Sequence, residues 1–319
     1  MLLRIENLSK TYPNGTRALD DVSLVIPPGM FGLLGPNGAG KSTLMRILAT
    51  LQEPDAGTVR LGELDVLREK ESVRRTLGYL PQEFGVYPKV TAEDLLDHFA
   101  VLKGITNRSE RRQLISALLE QTNLHRDRAK QLGSFSGGMR QRFGIAVALL
   151  GDPRLIIVDE PTAGLDPEER VRFLNLLAEL GQNSIVILST HIVDDVSELC
   201  SRMAIIDRGR IRLEDEPLAA VTKLHGRIWR RVVARDELAS YQERFAVLST
   251  KLLAGRTMLR IYADGRPGEG FESVEPALED VYFAAMREGR APAVDAGDKA
   301  GLATGARTAD VVSSAAGER

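Results

Sequence analysis

A glycine-rich segment near the N-terminus carries residue types that bind phosphate groups. It fits the pattern GxxxxGK[S/T] at every position and reads Gly35, Pro36, Asn37, Gly38, Ala39, Gly40, Lys41 and Ser42, with Thr43 starting a helical run. Glycines allow backbone N–H groups to point at an anion, and the N-terminus of the following helix adds a positive dipole. The ammonium group of Lys41 would hold the β- and γ-phosphates of a nucleotide, and the hydroxyl of Ser42 would bind Mg²⁺.

Two adjacent carboxylates follow an apolar run that is typical of a buried strand. The run covers residues 155–158, and Asp159 and Glu160 come directly after it. At the C-terminal end of a strand, Asp159 can hold the water shell of Mg²⁺. Glu160 is then placed to take a proton from an attacking water molecule. Beside the phosphate-binding loop, we interpret this pair as metal-binding and catalytic rather than as a solvated strand end.

A second glycine motif precedes another helical run. Ser136, Gly137 and Gly138 come before the apolar residues 143–150, so they predict a helix N-terminus that can bind an anion. Taken alone, the same pattern fits an ordinary flexible helix cap equally well. The chain therefore has two candidate phosphate-binding helix ends but only one loop that carries a lysine.

The elements that position these residues alternate between strand and helix. Residues 22–26 and 30–34 predict two strands on either side of a turn at Pro27, Pro28 and Gly29. The apolar runs 155–158, 184–188 and 203–206 are typical of buried strands in a parallel sheet, and residues 168–180 and 192–199 have helical periodicity. This alternation predicts an α/β fold with a parallel sheet as its core.

The periodicity divides the chain into further parts. A helical insert covers about residues 84–150, with a capping box from Thr91 to Asp94 and a second helix that opens at Ser109. Residues 1–216 are predicted to form the main domain. Residues 217–290 are predicted to form a small α+β domain, with strands at 227–234, 246–253 and 257–263 and a helix at 276–288. Residues 291–319 are rich in Ala and Gly, lack aromatic side chains, and are predicted to be a disordered tail.

The composition is that of an ordinary globular protein. Of 319 residues, 43% are hydrophobic and 27% are charged, and the net charge of −2 argues against a general affinity for nucleic acid or acidic lipid. Cys200 is the single cysteine, so an internal disulfide is excluded, which fits a reducing compartment. The longest apolar runs are far shorter than the roughly 18–20 residues that cross a bilayer. We therefore expect a soluble chain that needs a partner for any role at a membrane.

The order of the motifs resembles one family. The phosphate-binding loop is followed by Gln82, then by Ser136, Gly137 and Gly138, then by Asp159 and Glu160, then by Ala163, Gly164, Leu165 and Asp166, and finally by Ser189, Thr190 and His191. Over roughly residues 1–215 this series resembles the ATP-binding subunit of an ABC transporter. The resemblance implies a P-loop NTPase of the ABC cassette type, with antiparallel N-terminal strands beside the parallel core. It also implies a Mg²⁺-dependent ATPase, with ATP and Mg²⁺ as cofactors.

The resemblance further implies roles for individual residues. Tyr12 matches the aromatic residue that stacks on adenine, and Gln82 matches the residue that senses both Mg²⁺ and the transporter. His191 matches the residue that contacts the γ-phosphate and orients the attacking water. In this family the Ser136–Gly138 motif of one subunit closes over the ATP of another, and Asp166 shapes the seam between them, which implies a homodimer. Phe135 and Met139 depart from the usual signature, where Leu and Gln are more common, and put the contacts on the ribose side in doubt.

Three further segments resemble the branch of the family that exports drugs, antibiotics and surface polysaccharides. They are residues 138–142, 86–91 and 275–282. The implied function is ATP-driven export through a separate membrane permease, by a subunit bound peripherally to the cytoplasmic face of the cell membrane and without direct contact to nucleic acid. The segment 83–87, with Phe84, Val86 and Tyr87, is predicted to transmit the motion.

The sequence supports the alternatives to an exporter subunit to different degrees. An importer subunit is the main alternative. A non-transport ABC protein that acts on DNA or ribosomes is disfavoured because Lys41 and Ser136 are only 95 residues apart, because the chain has one cassette, and because its charge is near neutral. A P-loop GTPase or small-molecule kinase lacks support, since no Asn in the sequence is followed by Lys and a guanine-binding NKxD motif is therefore missing.

Overall fold

Three β-sheets and the helices around them make up the computed structural model, which describes residues 1–82, 85, 87–162 and 165–288. The strands are β1 (Leu3–Thr11), β2 (Arg17–Ile26), β3 (Gly29–Leu34), β4 (Ala56–Leu61), β5 (Leu64–Asp65), β6 (Leu77–Leu80), β7 (Leu155–Asp159), β8 (Ile185–Thr190), β9 (Arg202–Asp207), β10 (Arg210–Asp215), β11 (Ile228–Val233), β12 (Ala246–Leu253), β13 (Arg256–Tyr262) and β14 (Glu272–Ser273). The helices are α1 (Lys41–Leu48), α2 (Lys70–Arg75), α3 (Ala92–Leu102), α4 (Arg108–Gln121), α5 (Gly137–Ala148), α6 (Pro167–Gly181), α7 (Val193–Leu199), α8 (Pro217–Thr222), α9 (Leu238–Arg244) and α10 (Leu278–Glu288). The predicted tail, 291–319, lies outside the described residues.

The central sheet has six strands in the order β10-β9-β3-β8-β7-β6. Strands β9, β3, β8, β7 and β6 pair in parallel, and only β10 runs antiparallel, against β9. The predicted parallel core is therefore confirmed, and β6 joins it as an edge strand that the sequence pattern did not reveal. Because these five strands are parallel, their carboxyl ends meet at one edge of the sheet.

A second sheet is antiparallel and has the order β2-β1-β4-β5. The predicted antiparallel N-terminal strands are thus confirmed. The two strands predicted on either side of the Pro27–Pro28 turn also form, as β2 and β3, but they belong to different sheets. The reason is burial, since β3 pairs with β8 and β9 at the centre of the parallel sheet and keeps five of its six residues buried.

The hydrophobic core lies on both faces of the central sheet. Along β7, Leu155 and Ile157 pack into the cluster shared with the antiparallel sheet and α1, whereas Ile156 and Val158 pack into the cluster shared with the helical insert. All five residues of β7 are buried, as expected for a parallel strand that is covered on both faces. This strand is therefore a rigid support for the carboxylates at its end.

The helical region between β6 and β7 contains α3, α4 and α5. Thr91 caps α3, and its hydroxyl oxygen accepts a hydrogen bond from the N–H of Asp94 at 3.2 Å. The prediction that Ser109 opens the next helix is wrong by about two residues. Asn107 is the cap of α4, and its side-chain oxygen accepts bonds from the N–H groups of Ser109 and Glu110. Both Asn and Ser are good cap residues, so residue type alone does not distinguish Asn107 from Ser109 as the start of this helix.

The third sheet has the order β12-β13-β11-β14 and is antiparallel throughout. Strands β11, β12 and β13 and helix α10 confirm the elements predicted for this part of the chain, whereas the short strand β14 was not predicted. Leu278 and Val281 of α10 pack into the same hydrophobic cluster as the helical insert, and Met1–Gly289 forms one compact unit. The division at residue 216 into two domains stays a prediction. Within the described residues, the helices are all too short or too polar to cross a membrane.

Candidate functional site

A cavity of about 440 Å³ lies at the carboxyl edge of the central sheet. The phosphate-binding loop reaches it from the end of β3, Glu160 from the end of β7, and Gln82 from just beyond β6. Most of the predicted site residues share its lining, namely Tyr12, Pro36, Asn37, Gly38, Ala39, Gly40, Lys41, Ser42, Thr43, Gln82 and Glu160. The parallel strands therefore bring residues from distant parts of the sequence to one concave surface.

The phosphate-binding loop takes a backbone conformation that depends on its glycines. Gly40 has φ +111°, and a Cβ atom there would lie 2.4 Å from the carbonyl oxygen of Ala18. Gly35 is equally confined, since a Cβ atom would lie 2.4 Å from the carbonyl oxygen of Ile206. The turn between β9 and β10 supports the loop from behind, because the N–H of Gly209 donates to the carbonyl of Ala39 at 2.8 Å.

Lys41 is buried although it is charged. Its ammonium group donates to the carbonyl oxygen of Gly35 at 2.6 Å and to that of Pro36 at 3.3 Å. It also lies 3.4 Å from Oε1 of Glu160. These partners offset the loss of solvation and hold the ammonium group in the concave side of the loop.

Glu160 connects the lysine with His191. Its Oε2 atom lies 2.9 Å from Nδ1 of His191, and its side chain is largely buried whereas that of His191 is half exposed. The N–H of Glu160 donates to the carbonyl of Ser189 at 2.8 Å, which ties the ends of β7 and β8 together. Glu160 has φ +49°, in the left-handed region that non-glycine residues seldom adopt. Strained backbone of this kind is concentrated at functional sites.

Two buried oxygen atoms lie at the ends of neighbouring strands without a hydrogen-bond partner among the described residues. They are Oδ1 of Asp159 and Oγ of Ser189, whose backbones are paired in register between β7 and β8. Buried polar atoms are nearly always hydrogen-bonded, so an unpaired carboxylate oxygen indicates room for a ligand. Oxygen donors are the ligands that Mg²⁺ prefers, and the carboxylate of Asp159 together with Ser42 and Gln82 therefore fits this ion.

Tyr12 forms the outer side of the cavity. Its hydroxyl lies 3.1 Å from Oγ1 of Thr43 and donates to Oε1 of Gln52 at 3.3 Å. Burial would raise the pKa of Tyr12, but the hydrogen bond with Thr43 and the positive charge of Arg46 hold it below its usual value. These contacts fix the aromatic ring beside the first turn of α1, where a flat base can stack on it.

The Ser136–Gly138 motif forms a second helix start. Oγ of Ser136 accepts a hydrogen bond from the N–H of Met139 at 3.2 Å and so caps α5. Ser136 and Gly137 are exposed, while Gly138 packs so closely on α6 that a Cβ atom would lie 2.1 Å from Oε1 of Glu169. Asp166 caps α6 by accepting a bond from the N–H of Glu169 at 2.8 Å. The motif and Asp166 are thus neighbours on one surface.

The structure separates this surface from the cavity. Ser136, Gly137, Gly138 and Asp166 are not among the described residues that line the cavity, and neither is His191, which contacts the lining residue Glu160. Gly35 and Asp159 are also predicted site residues outside the lining, although each directly precedes a residue that belongs to it. Ala163 and Gly164, predicted members of the motif that ends in Asp166, lie outside the described residues, as do Glu83, Phe84 and Val86.

The sequence analysis missed two cavity residues, Thr16 and Ala18. They reach the cavity because the hairpin between β1 and β2 turns back, with the N–H of Tyr12 donating to the carbonyl of Thr16 at 2.9 Å. The Asn-Gly pair at positions 14 and 15 is a turn signal that could have placed them opposite Tyr12.

The fold and the cavity define an α/β protein with a P-loop nucleotide site, and comparisons with known proteins agree. A family model described as ABC transporter matches residues 19–163. Over 297 residues the chain is 33% identical to YxlF of Bacillus subtilis, an uncharacterized ABC transporter ATP-binding protein, with 88% of this chain and 98% of the relative covered. It is also 38% identical over 214 residues to the daunorubicin/doxorubicin resistance ATP-binding protein DrrA of Streptomyces peucetius, with 66% and 64% covered.

A solved structure shows the same fold. The dimeric post-hydrolysis state of the ATP-binding cassette MJ0796, bound to ADP and Pi, superimposes with a TM-score of 0.62 at 28% identity and covers 67% of this chain and 98% of the other. The chain therefore belongs to the ABC transporter family, as an ATP-binding subunit with the fold of an ABC ATPase.

Proposed function

We propose that this chain hydrolyses ATP with Mg²⁺ and thereby drives the export of a substrate through a separate permease in the membrane. The contact of Glu160 with both Lys41 and His191 is the observation that carries the proposal. It brings a carboxylate base, a cation for phosphate and an imidazole into one contiguous group. Transfer of a phosphoryl group to water needs these functions side by side.

Each of these side chains has a role in the proposed reaction. The loop N–H groups and Lys41 hold the β- and γ-phosphates, and Tyr12 stacks on the adenine. Glu160 takes a proton from the attacking water, and His191, bonded to the same carboxylate, orients that water at the γ-phosphate. The buried setting of Lys41 strengthens the attraction of its ammonium group for the phosphates.

Ser42, Gln82 and Asp159 are the proposed ligands of Mg²⁺, directly or through water. The ion would neutralise charge on the β- and γ-phosphate oxygens. No group of three or more His, Cys, Asp or Glu side chains that could hold a metal occurs among the described residues. The nucleotide phosphates would therefore complete the coordination, as is usual for Mg²⁺ in nucleotide sites.

A second copy of the chain is proposed to complete each site. The start of α5 is exposed at Ser136 and Gly137 and lies away from the cavity of its own chain. Two copies related by a two-fold axis would place this helix start on the γ-phosphate held by the other copy, with Asp166 at the seam. The dimeric cassette structure supports this arrangement for a related protein.

The permease is proposed to bind beside the segment that follows Gln82. Tyr87, five positions beyond Gln82, is 65% exposed, which is a high value for a large apolar side chain. Apolar side chains that are exposed together are typical of a surface that a partner covers, and Tyr87 is the proposed contact from this segment. A chain that acts in this way would lie at the cytoplasmic face of the membrane. The relation to DrrA, a resistance protein by its name, supports export over import.

The proposal is tested in two steps. Phosphate release by the purified chain should require both ATP and Mg²⁺ and should be lost in Glu160→Gln. Membranes containing the chain are then solubilised in detergent, and a co-purifying membrane protein should be lost in Tyr87→Asp but kept in the matched control Leu252→Asp, since Leu252 is 74% exposed elsewhere on the surface.

Three outcomes would contradict the proposal. Wild-type activity in Glu160→Gln would remove the proposed base. Uptake rather than release of substrate in oriented vesicles would replace export by import. Association with ribosomes or DNA, and with no membrane protein, would overturn the role in transport.

A further inference from the structure

A buried carboxylate outside the cavity touches the three segments that carry Glu160, Asp166 and His191. Asp195, in the first turn of α7, has no solvent exposure. Its Oδ2 atom accepts a hydrogen bond from Oγ1 of Thr162 at 2.7 Å. Its Oδ1 atom accepts bonds from Nε of Arg170 at 2.9 Å and from another guanidinium nitrogen at 2.6 Å. Asp195, Arg170 and Thr162 are called the Asp195 cluster below.

Each member of the Asp195 cluster is close in sequence to a proposed site residue. Thr162 follows Glu160 by two positions, and Asp195 follows His191 by four, or about one helical turn. Arg170 lies one turn beyond Asp166, and its N–H donates to the carbonyl of that residue at 2.9 Å. The cluster therefore links the three segments that carry these residues through side-chain bonds, in addition to the main-chain bond from Glu160 to Ser189.

The hydrogen bonds to Asp195 matter more because its carboxylate is buried. A fully buried carboxylate is costly unless it is paired and hydrogen-bonded, and charge-assisted bonds are about twice as strong as neutral ones. Two nitrogens of Arg170 donate to Oδ1 and the hydroxyl of Thr162 donates to Oδ2, so both carboxylate oxygens are held and the orientation of the side chain is defined. Glu160 has a strained backbone at φ +49°, so it depends on its surroundings to hold it in place.

We propose that Asp195 is a positioning residue for ATP hydrolysis, which holds the Glu160 loop and the His191 loop at the separation that their contact requires. Asp195 does not touch the nucleotide cavity and takes no proton. It acts through Thr162 on the backbone that follows Glu160, and through its own helix on the backbone that follows His191. The inference rests on the proposed roles of Glu160 and His191.

Asp195→Asn is the direct test. The amide keeps the shape of the side chain but removes the negative charge that pairs with Arg170, so the charge-assisted bonds to the guanidinium become ordinary ones of about half the strength. The NH₂ group faces Thr162, which must then accept a hydrogen bond instead of donating one. Displacement of a catalytic group by about 1 Å can lower the rate by on the order of 10²-fold. We expect kcat to fall by this order while KM for ATP changes by less than about twofold, because the phosphate-binding loop makes no contact with the cluster.

The control is a similar buried ion pair between helix α10 and the third sheet. Asp280 is also buried, and it accepts hydrogen bonds from Nε of Arg260 at 2.8 Å and from a second guanidinium nitrogen at 2.6 Å. Asp280→Asn should lower the melting temperature as Asp195→Asn does but leave kcat unchanged. Equal kcat values in the two variants would overturn the inference.

A second pair of variants keeps the test valid if Asp195→Asn does not fold. Thr162→Val removes the hydroxyl at nearly constant volume, and Thr162→Ser keeps it. We expect kcat to fall by about tenfold in the first and to recover to within about twofold of wild type in the second. Equal rates in the two would contradict a role for the hydrogen bond to Asp195.

A double variant separates this inference from the proposed function. If Asp195 acts through Glu160, the variant Glu160→Gln/Asp195→Asn should be no slower than Glu160→Gln alone. If the loss of activity in the double variant equals the product of the losses in the two single variants, Asp195 acts independently of Glu160. If Glu160→Gln alone retains full activity, the proposed function fails. If it is inactive while Asp195→Asn and Thr162→Val are both fully active, only the present inference fails.

Discussion

Nδ1 of His191 lies 2.9 Å from Oε2 of Glu160, so the first residue beyond β8 is in contact with the first residue beyond β7. The two strands are neighbours in the parallel sheet, and their registers place Asp159 opposite Ser189. Contact between the two side chains therefore follows from strand pairing and from the backbone turn at Glu160. The predictions below depend on this geometry.

Glu160→Gln should bind ATP and hydrolyse it slowly. The amide keeps the size of the side chain but cannot accept a proton, and loss of a general base lowers rates by roughly 10²–10⁴-fold. Binding of ATP should persist because Lys41 keeps its contacts with Gly35 and Pro36. Phosphate release and equilibrium binding of a fluorescent ATP analogue measure the two effects. A parallel loss of binding would show that Glu160 serves mainly to hold Lys41.

ATP should convert the Glu160→Gln variant into a dimer, and ADP should not, because ADP lacks the phosphate that joins the two copies. Adding Gly137→Asp should abolish the dimer. A side chain at Gly137 would meet no atom within 4 Å, so the monomer should fold normally, but the carboxylate would repel a phosphate at the start of α5. Light scattering with each nucleotide measures the mass, and Gly137→Ala is the control. A Gly137→Asp dimer in ATP would contradict the proposed composite site.

Glu160→Gly should be more stable than Glu160→Ala. Both variants lose the contacts with Lys41 and His191, so they differ mainly in the cost of the left-handed backbone at φ +49°. Glycine avoids that cost, which is about 1 kcal/mol for other residues. Chemical denaturation of the two variants measures the difference. Equal stability would mean that the backbone relaxes when the side chain is removed.

Gly78→Ala should destabilise the fold by about 1–3 kcal/mol. A Cβ atom at this position in β6 would lie 2.2 Å from the carbonyl oxygen of Ala148 at the end of α5, and backbone atoms cannot move aside easily. Thermal melting should show the loss, whereas Gly137→Ala, where the space is open, should leave the melting temperature unchanged or slightly higher. An unchanged melting temperature in Gly78→Ala would show that β6 can shift away from α5.

Cys200 should react with iodoacetamide at pH 8 only after unfolding. Burial, and then the negative charge of Asp195, raise the pKa of Cys200 to about 12, and the thiolate is the reactive form. Mass spectrometry of native and denatured samples measures the labelling, and rapid labelling of the native protein would contradict the buried position.

The same shift in pKa predicts how stability depends on pH. The thiol ionises at a lower pH in the unfolded chain than in the folded one, so its contribution to stability is present below about pH 9 and is lost as the pH rises toward 12. Urea denaturation at pH 7 and pH 10 should therefore show a larger loss for the wild type than for Cys200→Ala. The same loss in both would assign the effect to other groups.

Motifs and buried strands could be predicted from the sequence because each depends on residues that are close together along the chain. The glycines of the phosphate-binding loop, the apolar run before Asp159 and the cap at Thr91 all act within a few residues of their own position. Strand β6 was missed because Gly78 and Tyr79 interrupt its apolar pattern, and its place is fixed by pairing with β7, some 75 residues later.

Long-range contacts between side chains could not be predicted. Nothing near Asp195 in the sequence indicates that it meets Thr162 and Arg170, because its partners are set by the packing of α6 against α7. The same holds for Gly138, whose contact with Glu169 depends on how two helix starts meet. The separation of the exposed start of α5 from the cavity of its own chain agrees with the arrangement that the family resemblance implies.

The turn between β9 and β10 has a consequence for how this protein can evolve. Gly209 holds the phosphate-binding loop through main-chain atoms alone, donating to the carbonyl of Ala39 and accepting from the N–H of Asp20, both at 2.8 Å. Main-chain bonds do not depend on side-chain identity, so a substitution beside Gly209 can change a side chain without removing the bonds that hold the loop. Gly209 itself is the exception, since it has φ +75° and a Cβ atom there would lie 2.8 Å from the carbonyl oxygen of Ala18.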